Sequence, residues 1–267
     1  MDEILNWKQI LSPYEQAVEE LKVKFNYIRK EYEYRGIPCP IEVVDGRVKS
    51  ISSIMAKANK KGIDAREATS YLEDIAGLRL ICQFTEDIYK VAHHIKTRKD
   101  MVVSSEVDYV ASPKPSGYRS YHMIIQYTVQ TGFTNITIPV EIQIRTLAMN
   151  FWAVIEHSLA YKYEQDVPVE VRSRLTAAAE AVLALDHEMA SIRSEILEAH
   201  TLFRKKANVV YDILDSLQSL YSMGNQDRVM ELQAEFFQLY NGGDMKSLKE
   251  FSRRLEYMIQ NGCEDEQ

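Results

Sequence analysis

The sequence predicts an α+β fold: a mixed β-sheet flanked by helices, with a long helix at the N-terminal end and a helical extension at the C-terminal end. Three observations carry this. Apolar residues recur at helical spacing up to Tyr34. Four segments between Gly77 and Thr146 are rich in β-branched and aromatic residues. After Thr146 every strong period is again helical.

In chain order, Tyr14, Val18, Leu21, Phe25 and Ile28 form the apolar stripe of one amphipathic helix over Trp7–Tyr34. The Gly-Ile-Pro-Cys-Pro run at 36–40 ends it. Ile41–Lys49 reads as extended, and Ile51–Lys61 as a helix stopped by Gly62. Gly77–Phe84, Met101–Tyr109, Ser120–Val129 and Asn135–Thr146 read as strands, with helical spacing over Glu86–Lys99. Leu147–Tyr163 is helical up to the Asp-Val-Pro break at 166–168, and a second long helix follows to about Lys206. Three shorter helices then cover Val209–Met223, Arg228–Tyr240 and Met245–Gln260, parted by turns at 224–225 and 241–244. The chain therefore divides into 1–206, carrying the sheet, and 207–267, a helical extension.

Composition bounds the function classes. With 46% hydrophobic and 27% charged residues in 267, the chain buries a proper core and is not disordered. A net charge of −7 speaks against a general nucleic-acid binder but not against local anion sites. No apolar run approaches the roughly 18 residues needed to cross a bilayer. The acidic start MDEILNWKQI is unlike a signal peptide. Cys39, Cys82 and Cys263 give neither a disulfide framework nor metal spacing, so a cytoplasmic location is expected.

The sharpest chemistry lies in Val140–Thr146 (VEIQIRT). Strand alternation puts Val140, Ile142 and Ile144 on one face and Glu141, Gln143 and Arg145 on the other. A half-buried edge strand with a solvated polar face has the same pattern, so both readings stand. Asp74 enters the strand that follows, where Gly77 allows close backbone approach and a carboxylate could be presented at a sheet edge. Two such carboxylates could hold Mg2+, which takes one or two of them and completes its shell with phosphate and water. Glu73 is the alternative ligand.

Basic groups lie just upstream. Arg47 and Lys49 share one face of an extended segment, and Ser53, Lys57 and Lys60 form one stripe of the next helix. Such a stripe grips polyphosphate or is simply solvated. In the loop from Ala111 to His122, Tyr118 follows a flexible glycine and could stack on a base. Lys114, Arg119 and His122 are offered to phosphates. On the helix after VEIQIRT, Asn150 could read a base edge, while Phe151, Trp152 and Ile155 read as packing residues. No GxxxxGK[ST], GxGxxG, HExxH or GxSxG occurs.

The segments GRVKSISSIMAK, EDIAGLRLICQF, SGYRSYHMIIQY and VEIQIRTLAMNFWAVIEHSLAYKY, in this order, resemble the synthetase domain of the RelA/SpoT family. The resemblance spans roughly residues 5–205 and is closest to the small alarmone synthetases of the RelQ type. It implies a nucleotidyltransferase-like mixed sheet. It also implies transfer of pyrophosphate from ATP to the 3′-hydroxyl of GDP or GTP, giving (p)ppGpp and AMP. Asp74 and Glu141 would be catalytic and hold Mg2+. Arg47 and Arg79 would sandwich adenine, and Lys49, Ser53, Lys57 and Lys60 would hold ATP phosphates. Tyr118 would stack on guanine, with Lys114, His122, Gln143 and Asn150 around the acceptor. A homotetramer is implied, with product binding between subunits at Lys22, Arg29 and Glu42; Asn26 and Val43 depart from that pattern. No His-Asp dipeptide occurs, so a synthetase without hydrolase activity is expected. The competing readings are a catalytically silent nucleotide receptor and an RNA-binding accessory protein.

Overall fold

The computed structural model describes residues 6–64, 66–162, 168–224 and 226–261, and the side chains of all these except 160–162. The expected break at 166–167, the turn residue Asn225 and Cys263 lie outside the described residues.

The elements are α1 (Trp7–Tyr34), β1 (Val43–Val48), α2 (Ile51–Lys61), α3 (Ala68–Tyr71), β2 (Ala76–Cys82), α4 (Thr85–Lys96), β3 (Val102–Asp108), β4 (Tyr121–Gln130), β5 (Asn135–Thr146), α5 (Leu147–Lys162), α6 (Val169–Ser222), α7 (Gln226–Gly242) and α8 (Met245–Asn261). The strands form one sheet in the order β1-β2-β5-β4-β3; β2 and β5 run parallel and the other pairs antiparallel. The sheet is mixed, as the sequence predicts. The edge-strand reading of VEIQIRT fails, because β5 is central, paired with β2 on one side and β4 on the other. A central strand covered on one face alternates just as an edge strand does, so the pattern cannot separate them.

One face of the sheet carries the core. Leu78 and Leu80 of β2, Met123 and Ile125 of β4, and Val140, Ile142 and Ile144 of β5 are buried there. They share one cluster with Leu21, Phe25 and Ile28 of α1 and Ile88, Val91 and Ile95 of α4. Phe25 is fully buried, so Phe25→Ala would cost about 3–5 kcal/mol, a large share of a domain's stability. With α1 and α4 on that face, the polar side chains of the same strands turn to the other.

The chain divides into two compact units, one up to Ala190 and one from Ser191 onward. The second has its own core, built from Ile213, Leu217 and Leu220 of α6, Val229, Leu232 and Phe236 of α7, and Leu248, Phe251, Leu255 and Met258 of α8. The break expected between Lys206 and Val209 is absent, since α6 continues to Ser222. Residues 206–209 (Lys-Ala-Asn-Val) contain neither glycine nor proline, and nothing there stops a helix.

Candidate active site

Register brings the predicted residues together. On the polar face, Arg47, Gly77 and Glu141 are aligned across β1, β2 and β5. The adjacent row aligns Asp45, Arg79, Gln143 and His122 across β1, β2, β5 and β4. One cleft is lined by Asp45, Arg47, Lys49, Asp74, Gly77, Arg79, Glu141 and Gln143. A Cβ on Gly77 would meet only the Arg47 carbonyl, at 3.8 Å. The glycine thus leaves open space between Arg47 and Glu141.

Asp74 sits at the N-terminal end of β2, an inner strand, so its carboxylate is presented at a strand end rather than at a sheet edge. Lys49 follows β1 directly, and its backbone N–H donates to the Ile75 carbonyl at 2.8 Å. Ser50 caps α2 by accepting from Ser53 N–H, which starts the helix at once and brings Lys57 back over the strand. Both Lys49 Nζ and Lys57 Nζ lie 2.5 Å from Asp74 Oδ2. Burial pushes the Asp74 pKa up, but the two ammonium groups outweigh it and hold the carboxyl below its ordinary 3.8. Oδ1 is buried without a partner among the described residues.

Glu141 is held from both sides. His122 Nδ1 lies 3.0 Å from Oε1, and Gln143 Nε2 donates to Oε2 at 2.8 Å. Burial raises its pKa, donation from His122 and Gln143 lowers it, and the net shift is downward from 4.5. An ionised carboxylate only accepts, so Nδ1 carries the proton, and in the neutral ring Nε2 accepts from the Tyr118 hydroxyl 2.9 Å away.

The loop bearing Tyr118 is anchored, contrary to the expectation of a flexible glycine. Gly117 has φ +88°, and a Cβ there would stand 2.6 Å from Ala179 Cβ of α6. Glycine is required both for the left-handed backbone and for the close approach. Thr176 of α6 donates to the Ser116 carbonyl at 3.4 Å. Arg119, expected near phosphates, instead ties the loop down, donating to the Val110 carbonyl at 2.9 Å and pairing with Glu180 at 3.3 Å. Tyr109 was missed by sequence reasoning. It packs edge-on to Tyr118 and His122, with centroids 6.3 and 5.2 Å apart, and Lys114 Nζ lies 4.7 Å and 4.9 Å from the Tyr109 and Tyr118 centroids. Its position just before the loop was the one available signal.

The remaining expected residues are less tightly gathered. Ser53 and Lys60 are exposed on α2 and do not line the cleft. Asn150 lies in the first turn of α5, its Oδ1 buried without a partner among the described residues. On α5 only Trp152 of the three expected packing residues is buried, donating to the Leu175 carbonyl at 2.9 Å; Phe151 and Ile155 are exposed. Arg29 and Glu42 line a separate groove with Asn26 and Gln83, and Lys22 pairs with Glu19 at 2.9 Å outside it.

The donor set fits Mg2+. Asp74 offers an unpartnered carboxylate oxygen, and Glu141 lines the same cleft. Among the described residues no three His, Cys, Asp or Glu side chains form a closed cage, which suits an ion that fills its shell largely with phosphate and water.

Residues 46–166 match the region found in RelA/SpoT proteins. The chain is 52% identical over 200 residues to the GTP pyrophosphokinase YjbM of Bacillus subtilis, covering 75% of this chain and 94% of that protein. It resembles the crystal structure of small alarmone synthetase 1 from Bacillus subtilis bound to its product pppGpp, with a TM-score of 0.69 and 52% identity over 72% of this chain and 98% of the other. The same enzyme bound to AMPCPP gives a TM-score of 0.63 and 49% identity, covering 72% of this chain and 98% of that one. With the shared sequence spanning nearly all of such a relative, and the matched region containing Asp74, Glu141 and all of the cleft lining except Asp45, this chain belongs to the RelA/SpoT family.

Proposed function

We propose that the protein is an Mg2+-dependent GTP pyrophosphokinase, which transfers pyrophosphate from ATP to the 3′-hydroxyl of GDP or GTP and releases (p)ppGpp and AMP. The observation that carries this is one cleft in which Asp74 stands beside Lys49 and Lys57 while Glu141 is linked to Tyr118. Donor phosphates belong on the lysine side, with Ser53 and Lys60 extending the cradle along α2. Arg47 and Arg79 enclose adenine. The acceptor base belongs on Tyr118, near Asn150, with Lys114, His122 and Gln143 around its ribose and phosphates.

Asp74 and Glu141 would hold Mg2+, whose charge offsets that of the phosphate oxygens. The side chains supply positioning and proton transfer. Lys49 and Lys57 orient the pyrophosphate in line with the acceptor hydroxyl, and Glu141, ionised near neutral pH, takes the proton from that hydroxyl as the new bond forms. The test is Glu141→Gln incubated with Mg2+, ATP and GDP. Formation of AMP and tetraphosphate should fall at least ~10²–10⁴-fold, the usual worth of a general base, while ATP still binds. Normal turnover by the folded variant would overturn the assignment.

The assembly we propose is a cytoplasmic homotetramer, with (p)ppGpp binding at the groove of Arg29 and Glu42, flanked by Lys22. No helix among the described residues is long and apolar enough to cross a membrane. Light scattering tests the tetramer. Calorimetric titration of pppGpp into the protein and into Arg29→Ala tests the second site: loss of a second binding event in the variant supports it, and identical isotherms refute it.

A further inference from the structure

Arg145 is buried, 3% exposed, at the end of β5. Among the described residues no carboxylate pairs with it, and its Nε has no hydrogen-bond partner. One nitrogen, Nη2, donates to Gln143 Oε1, and the guanidinium lies 5.7 Å from the centre of the Tyr118 ring. A buried cation left this way costs stability, and an apolar side chain of similar length would pack there at less cost. Stability therefore does not account for it.

The contacts close a circuit. The Tyr118 hydroxyl meets His122, His122 meets Glu141 Oε1, Gln143 meets Glu141 Oε2, Arg145 meets Gln143, and Arg145 lies over Tyr118 again. A guanidinium has donors only, so Gln143 must turn Oε1 toward it and Nε2 toward Glu141. Without Arg145, the Gln143 side chain keeps, among the described residues, only its bond to the carboxylate it is meant to hold. We propose that Arg145 is a positioning residue for pyrophosphate transfer, fixing the Gln143 amide and the Tyr118 ring so that Glu141 and the acceptor base keep one relative placement. This rests on Glu141 acting as the base.

The experiment compares Arg145→Met, Arg145→Lys and Gln143→Met in the full chain, with ATP and GDP kinetics and melting temperature. For Arg145→Met, kcat should fall ~10–100-fold, as expected for a slightly misplaced catalytic group, with the ATP KM within about threefold of wild type. Its melting temperature should be unchanged or higher. Arg145→Lys keeps the charge without the planar fork and should recover part of kcat. Combined with Gln143→Met, Arg145→Lys should add little to the loss from Gln143→Met alone. An unchanged kcat in Arg145→Met, a lower melting temperature with kcat and ATP KM impaired together, or additive losses in the double variant would each overturn the proposal. If Arg145→Met does not fold, the double variant decides. Activity in Glu141→Gln would instead reject the base assignment on which the proposal stands.

Discussion

His122 Nδ1 lies 3.0 Å from Glu141 Oε1, so the imidazole that supports the proposed base is the same one that receives the Tyr118 hydroxyl on its other nitrogen. On the proposed assignment, base recognition and proton transfer would be joined through this single ring. That linkage separates two roles of Tyr118, the aromatic face and the hydroxyl.

Tyr118→Ala should raise the KM for GDP and GTP ~10–100-fold, because stacking one base on an aromatic ring contributes about 1–3 kcal/mol. The ATP KM should stay near wild type, since Tyr118 does not line the cleft of Arg47 and Arg79. Tyr118→Phe keeps the face and loses only the hydroxyl on His122, so its effect should fall mainly on kcat. Steady-state kinetics with each substrate varied in turn distinguishes the two; an altered ATP KM in Tyr118→Ala would contradict this division.

Gly77 makes a second separation, between folding and binding. It stands in register between Arg47 and Glu141, and a Cβ there meets nothing closer than 3.8 Å. Gly77→Val should fold with a melting temperature close to wild type, since valine suits a strand and its Cβ meets only ordinary van der Waals contact. Its side chain would occupy the cleft, and the ATP KM should rise about tenfold or more, equivalent to at least ~1.4 kcal/mol of lost binding. Thermal melts beside ATP titrations check it, and unimpaired ATP binding would show that the donor nucleotide lies elsewhere.

What could be read in advance follows from how locally each feature is encoded. α1 and α2 were legible over their full lengths because a periodic stripe ends in a proline-glycine breaker in one case and at Gly62 in the other. The face shared by Glu141, Gln143 and Arg145 was legible because strand alternation is fixed by backbone geometry. The central place of β5 was not, since pairing partners leave no trace in the strand's own pattern. The fate of Arg119 and the need for Gly117 depend on Glu180 and Ala179, some sixty residues further along the chain. No local spacing announces such a contact. The role proposed for Arg145 depends on the Tyr118 ring, which lies in a loop outside β4 that is held against α6, so nothing in the pattern of β5 announces it.

Asp186 gives the pH dependence. It is buried, accepts from Thr146 Oγ1 at 2.7 Å, and burial raises its pKa above the ordinary 3.8, with the Thr146 hydroxyl and His187 opposing the shift. The native state thus binds this proton more tightly than the unfolded chain. The stability contributed by protonation is fully present below 3.8 and is lost as pH rises through the native value. Asp186→Asn keeps an acceptor for Thr146 and removes the titration. Its melting temperature should exceed that of wild type near neutral pH, by about 2–4 °C for each kcal/mol gained. The difference should shrink toward acid pH. Melting curves across that range check it, and parallel curves would show that Asp186 titrates as in the unfolded chain.

The division at 206/207 is open to a direct test. The compact units meet at Ala190 and Ser191, yet the helix runs through both positions. What separates the alternatives is where the cores end. Among the described residues, the core clusters of the first unit reach no further than Val182, and that of the second begins with Val209. Both candidate boundaries therefore fall in a helical stretch that contributes to neither core. A chain ending at Lys206 keeps every element of the cleft, including Thr176, Ala179 and Glu180 against the Tyr118 loop. It should fold and retain kcat within about twofold, with only its last helical turns frayed. If activity collapses while the melting transition of the remaining protein persists, residues 207–267 take part in catalysis or in an assembly that catalysis needs. Mass measurement of the shortened chain then separates those two, because loss of an assembly lowers the oligomer mass and loss of a catalytic contribution leaves it in proportion.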